Sequence, residues 1–170
     1  MALTLATDEE FPVEQSRCDI LPGMPDLEVH VATFDELDAR TAYQLWRLRQ
    51  DVFVVEQDCV YPDLDGRDLE PATRHVWVTD DGTPVGYLRV LDDDGTARIG
   101  RVAVARSQRR RGLAETLMGK ALELVGDGPS VLDAQSYLQD WYARFGYVAT
   151  GPEFLDDGIP HVPMRRDPRP

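Results

Sequence analysis

The chain is 170 residues long, which suits one domain and is enough to bury a sizeable core. Its formal net charge of −13 argues against nucleic acid, whose phosphates the average surface would repel, and against anionic membranes. No run reaches the ~18 apolar residues needed to span a bilayer, and MALTLATDEEFP lacks the basic-then-apolar order of a signal peptide. Cys18 and Cys59 show neither CxxC nor metal spacing, so two free thiols in a reducing cytoplasm are expected.

Residues 1–26 mix acidic residues, prolines and a glycine without periodicity and read as a poorly ordered or irregular arm. A single domain, 27–170, follows. Leu27 to Val31 alternates as a strand does. Thr33 or Asp35 is then placed to cap a helix with an apolar face of Leu37, Leu45, Leu48 and Val52. Residues 49–56 either continue that helix or start another. Asp58, Asp63, Asp65, Asp68 and Glu70 form an acidic irregular segment broken by Pro62 and Gly66. Three strands come next, at 75–78, 85–91 and 98–105, and their short turns predict an antiparallel meander. Leu113, Leu117, Ala121, Leu122 and Val125 mark a buried helix face that ends at Gly126-Asp127-Gly128-Pro129. A buried strand at 131–134, a short helix at 138–145 and strands near Val148 and Val162–Arg165 complete an α+β order. Trp46, Trp77 and Trp141 lie within apolar periodic segments and read as core or rim.

Between the third strand of the meander and the next helix stands Gln108-Arg109-Arg110-Arg111-Gly112-Leu113-Ala114, a basic turn in an acidic chain. A helix start carries unpaired N–H groups and partial positive charge. Gly112 allows close approach of a ligand, and arginines pair with phosphate oxygens in a bidentate way. Together these describe a pyrophosphate site. The spacing is neither a Walker A loop nor G-x-G-x-x-G. A solvated basic turn opening a surface helix is the plainer alternative.

Arg109-x-x-Gly112-x-Ala114 resembles the [Gln/Arg]-x-x-Gly-x-[Gly/Ala] signature of the GNAT superfamily of N-acetyltransferases. Ile99-Gly100-Arg101-Val102-Ala103-Val104 is similar to its splayed central strand, and Tyr142-Ala143-Arg144-Phe145-Gly146-Tyr147 to a second family pattern. Leu48-Arg49-x-x-Val52-Phe53-Val54-Val55-Glu56-Gln57-x-Cys59, Asp63-x-Asp65-Gly66-x-Asp68, Arg74-His75 and Asp157-Gly158-Ile159-Pro160-His161 resemble the ElaA-like branch. The resemblance runs from about Leu37 to Arg165. It implies a mixed, mostly antiparallel central sheet with flanking helices, and acetyl-CoA-dependent transfer to a primary amine by direct attack in a ternary complex. It further implies pyrophosphate on Arg109, Arg110, Arg111, Gly112, Leu113 and Ala114. Val102, Ala103 and Val104 would hold the pantetheine arm and acetyl carbonyl, and Tyr142 would be the general acid. Many relatives place an asparagine where this chain has Gln135, whose amide bonds alike on a longer stem. Many relatives also pair through a sheet or helix face, so a homodimer is expected.

The transfer needs a base, because only about one lysine-like amine in a few thousand is neutral at pH 7. Glu56 follows the apolar run 52–55; partial burial there would raise its pKa toward neutrality, and a surface carboxylate is the alternative. His75 opens a strand as a proton acceptor or a structural residue. His161 stands near the end of the fold, and His30 reads as structural. Asp63, Asp65 and Asp68 either attract a cationic amine or form a solvated loop. Their spacing resembles an EF-hand but fails at Ala72 and Thr73, so no metal is expected. Cys59 lacks an activating base and reads as a packed thiol. The central strand carries no carboxylate between Arg98 and Ala105, which leaves open an acyl-CoA-binding or interaction module without turnover. The Arg49–Phe53–Glu56 region also resembles acyl-homoserine lactone synthases, which draw on carrier protein and have longer chains.

Overall fold

The computed structural model describes residues 27–168, so the arm 1–26 and Cys18 lie outside the described residues. Among these, one sheet is built from β1 (Leu27–Ala32), β2 (Arg74–Asp80), β3 (Thr83–Asp93), β4 (Thr96–Val104), β5 (Ser130–Gln135), β6 (Val148–Ala149), β7 (Phe154–Asp156) and β8 (Ile159–Arg166). The order is β1-β2-β3-β4-β5-β8-β6, with β7 paired to β8. The expected meander is β2-β3-β4. Its two-residue loops, Asp81-Gly82 and Asp94-Gly95, carry positive φ at both positions, as hairpins matching the sheet's twist require. Asp157-Gly158 repeats the device and joins β7 to β8, a hairpin the hydrophobic pattern did not reveal.

Two helical layers cover the sheet. Helix α1 (Ala39–Arg49) sets Leu45 and Leu48 on Trp77, Tyr87 and Ala103 of one face. Its cap is Asp38, whose carboxylate accepts from the N–H groups of Arg40 and Thr41. Neither Thr33 nor Asp35 caps α1. Thr33 instead closes a separate 3₁₀ turn, 34–36, in a reciprocal box with Glu36. Past α1 the chain continues without a break as a π-helical segment, Gln50–Glu56. Helices α2 (Leu113–Val125) and α3 (Gln139–Ala143) lie on the opposite face, where Leu113, Leu117, Met118 and Ala121 pack with Val76, Leu88, Ile99 and Leu132. No helix among the described residues is long and apolar enough to cross a membrane.

Candidate active site

The two central strands separate, and that separation makes the site. β4 and β5 are the parallel neighbours, in register only at Ala97–Ser130 and Arg98–Val131. Beyond those pairs they part, and among the described residues β4 has no strand partner on that side. The gap is a cleft of about 590 Å³, lined by Gly100–Val104 of β4, Gln135 of β5, Tyr142 of α3 and His161 of β8. That size suits a small-molecule ligand. On its other edge β4 is bulged. Tyr87 pairs with Ala103 but Arg89 with Gly100, so Arg101 and Val102 together face Leu88. Arg101 takes φ +56 to do so. A bulge leaves ladder groups unpaired and re-aims the local backbone.

The end of β4 runs into the basic turn. Arg110 and Gly112 are both left-handed, at φ +65 and +77, and Gly112 is the cap residue of α2. Such a backbone turns successive N–H groups onto one concave surface that suits an anion. The three arginines are not equivalent. Arg109 forms a two-point pair with Glu56 at 2.6 and 2.7 Å, and Arg111 pairs with Asp80 at 2.8 Å and with Gln108. Exposed Arg110 has neither an ion pair nor a hydrogen bond to another described residue. Leu113 is buried in the core, so its side chain packs and only its backbone is available to a ligand.

Tyr142 is buried, with its ring edge-on to Trp141 and Tyr147 at 4.7 and 6.3 Å between centroids. It lines the cleft, and no hydrogen bond to another described residue holds its hydroxyl. Burial pushes its pKa well above the usual phenol value, so it keeps its proton through the neutral range. Gln135 also reaches the cleft, its amide held between Gln57 and the Tyr137 hydroxyl.

The candidate bases are redistributed. Glu56 lines the cleft, but it is exposed, and the hydrogen bonds from Arg109 hold its carboxyl below the usual range rather than above it. His75 is not in the cleft. It is buried, its Nε2 donates to the Asp68 carbonyl and its Nδ1 accepts from the Tyr87 hydroxyl. Burial lowers its pKa, and both ring nitrogens are occupied, which makes it a structural histidine. His161 does line the cleft. Its Nδ1 lies 2.8 Å from the Ile159 carbonyl, which can only accept, so neutral His161 presents an unprotonated Nε2. Period-two alternation could have placed His161 on one face of its strand, but nothing in the pattern said that this face borders the gap. Buried Cys59 lines the cleft with its thiol pushed up by burial, the reverse of an activated nucleophile.

Within the acidic segment Asp63, Asp65 and Asp68 are already engaged by arginines. Asp63 and Asp68 are buried and pair with Arg49 at 2.9 and 2.8 Å; Arg49 is fully buried at the end of α1. Arg89 on β3 bonds Asp65 at 2.7 and 2.8 Å and Asp68 at 3.0 Å. Arg101 on the bulge lies 2.7 Å from Asp63. Burial alone would raise the Asp65 pKa, but the Arg89 hydrogen bonds outweigh it and hold the group at about 2. A depressed carboxyl stabilises the fold above its unfolded value of ~3.9 and ceases to do so as pH falls through the folded value. The melting temperature should therefore hold from pH 7 to 5 and fall steeply from about pH 4 to 2. Asp65→Asn should lower it at neutral pH and flatten that acid slope. Parallel melting profiles for the two proteins would exclude this contribution. Among the described residues no group of three or more His, Cys, Asp or Glu is placed to hold a metal ion.

A mostly antiparallel sheet whose bulged central strand parts from its parallel neighbour and ends in a concave, glycine-capped turn defines the GNAT class of acyltransferase. Residues 49–168 match the family described as "Acetyltransferase (GNAT) domain", and the chain belongs to that family. Within it the chain is ElaA-like. It is 40% identical to protein ElaA of Escherichia coli over 141 residues, 78% of this chain and 91% of that protein. The solved structure of E. coli ElaA superposes with a TM-score of 0.79 over 83% of this chain and 99% of that one. An acyl-CoA N-acyltransferase from Pseudomonas aeruginosa, 41% identical, gives the same TM-score over 82% of this chain and 99% of that chain. UPF0039 protein Rv2851c of Mycobacterium tuberculosis is 51% identical over 136 residues, 77% of this chain and 87% of that protein.

Proposed function

We propose that this protein transfers the acetyl group of acetyl-CoA to a primary amine, of a small molecule or a peptide, by direct attack in a ternary complex. The observation that carries this reading is the buried, protonated and unbonded hydroxyl of Tyr142 in the same cleft as the bulged strand β4. Family membership and the relative described as an acyl-CoA N-acyltransferase support it.

In this reading the Arg110–Gly112 turn and the first N–H groups of α2 receive the pyrophosphate. The backbone of β4 from Val102 to Val104, on the side that β5 leaves open, receives the pantetheine arm and donates to the carbonyl oxygen as negative charge develops there. Gln135 borders the arm. His161 Nε2 takes the proton from the incoming amine. The nitrogen–carbon bond forms, the adduct nitrogen sheds its remaining extra proton to cleft water, and the carbon–sulfur bond breaks as Tyr142 donates its proton to the departing sulfur. The proton on His161 returns to solvent, and Tyr142 is protonated again from water. Glu56 is a poor base while Arg109 lowers its pKa. Its part is to fix Arg109 beside the turn.

The reading is tested by free-thiol release from acetyl-CoA over a panel of amines, with the amide product identified by mass. Wild type should release thiol with at least one amine. His161→Gln should lower kcat/KM by about 10²-fold. An unchanged kcat/KM in His161→Gln would return the base role to another group. Tight acetyl-CoA binding without thiol release would make the protein an acyl-CoA-binding module.

A further inference from the structure

The segment from Asp63 to Asp68 is acidic, lies outside the cofactor turn and has no part in the chemistry above, yet Asp63 and Asp65 reach the strand at the centre of the cleft. Arg101 is a non-glycine residue at φ +56 and sits in the β4 bulge directly before Val102. The left-handed conformation presses Cβ against the backbone and is disfavoured for any residue but glycine, and most tolerated by Asn and Asp. The cost of that conformation is offset by the surrounding fold, as it also is at Arg110, but the side chain of Arg101, unlike that of Arg110, is engaged. Its Nε lies 2.7 Å from Asp63 Oδ1 as an ion pair whose angle makes no hydrogen bond, while its Nη2 donates to the Asp63 carbonyl at 3.3 Å and is 3.5 Å from Asp65 Oδ2. Its guanidinium rests over the Tyr61 ring at 5.3 Å.

The far end of this grip is itself fixed. Arg49 and the Tyr61 hydroxyl bond the two oxygens of Asp63, and Arg89 bonds both oxygens of Asp65. Arg49 and Arg89 are buried, on α1 and β3. The loop is thus tied to the scaffold on one side and to the bulge on the other.

We propose that Arg101 is a positioning residue: the Asp63–Asp65 loop grips its side chain and so holds the bulge in the conformation that turns the Val102 backbone toward the reacting carbonyl. The catalytic consequence rests on the acetyl transfer proposed above; the conformational one does not. A bulge that relaxes misplaces the backbone donors, and a misplacement of about 1 Å costs on the order of 10²-fold in rate.

Two substitutions separate the grip from the guanidinium. Arg101→Ala removes the grip and keeps the Cβ that disfavours the left-handed conformation. Arg101→Gly removes the same grip and the same charge but leaves that conformation freely accessible. Neither strands a carboxylate, since Asp63 keeps Arg49 and Tyr61 and Asp65 keeps Arg89. For Arg101→Ala, kcat should fall by about 10- to 100-fold with the acetyl-CoA dissociation constant changed by less than about three-fold. Arg101→Gly should recover at least about three-fold of the lost kcat. The Val102 amide resonance, read by NMR in all three proteins, should move in Arg101→Ala and stay near its wild-type position in Arg101→Gly. Equal kcat losses in Ala and Gly, with equal movement of the Val102 resonance, would overturn the proposal and leave the guanidinium itself as the functional group. An unmoved Val102 resonance in Arg101→Ala would also overturn it. If wild type transfers no acetyl group, the proposed function fails, while the Val102 resonances still decide whether Arg101 holds the bulge.

Discussion

Tyr142→Phe is expected to lower kcat by about 10²-fold or more while changing the acetyl-CoA dissociation constant by less than roughly two-fold. The ring is packed edge-on against Trp141 and Tyr147, and Phe preserves all of that packing. Only the hydroxyl is lost, and no hydrogen bond to another described residue depends on it. The fold and the cofactor surface should therefore survive. Burial keeps the phenol protonated across the neutral range, so it can act as a donor but not as a base. The departing sulfur is where a donor is needed. Steady-state kinetics paired with calorimetry reads the two quantities separately. An unchanged kcat would remove Tyr142 from the chemistry and assign it to the core alone.

Gly112→Asp is expected to weaken acetyl-CoA binding by at least about 30-fold, which corresponds to ~2 kcal/mol. Gly112 stands at φ +77, and a Cβ built there meets nothing within 4 Å. The free protein thus has room for the side chain, and Asp tolerates the left-handed region better than most residues. The loss should fall on the ligand, whose pyrophosphate would meet a carboxylate at the point of closest backbone approach. A titration of Gly112→Asp that matches wild type would place the pyrophosphate elsewhere. A melting temperature near that of wild type would show that the loss is not one of folding.

What the sequence made legible was local. The Asp-Gly loops and the alternating runs between them announced the β2-β3-β4 meander, and the strand–basic turn–helix order exposed the turn at Arg109–Ala114. Tyr142 was found through its place in a family pattern; by periodicity alone it is a core aromatic. What stayed hidden depended on partners far away in the chain. Glu56 and Arg109 are 53 residues apart, and their pairing reversed the direction expected for the Glu56 pKa. Asp63 and Asp65 looked like a solvated loop because their arginines, Arg49, Arg89 and Arg101, are spread over a helix and two strands. Arg101 lies in the stretch similar to the splayed central strand, but which of its residues takes the left-handed conformation is a property of register between two strands and leaves no mark in one of them. His75 and His161 each lie on a strand, and only the parting of β4 from β5 decides which of them borders the cleft.

The most direct measurement is calorimetric titration of the purified protein with acetyl-CoA, with Gly112→Asp in parallel. One saturable site with a dissociation constant in roughly the micromolar to sub-millimolar range, lost in the variant, is the predicted result. No binding by the wild-type protein at millimolar acetyl-CoA would contradict the assignment of the cleft and the turn to an acyl-CoA donor.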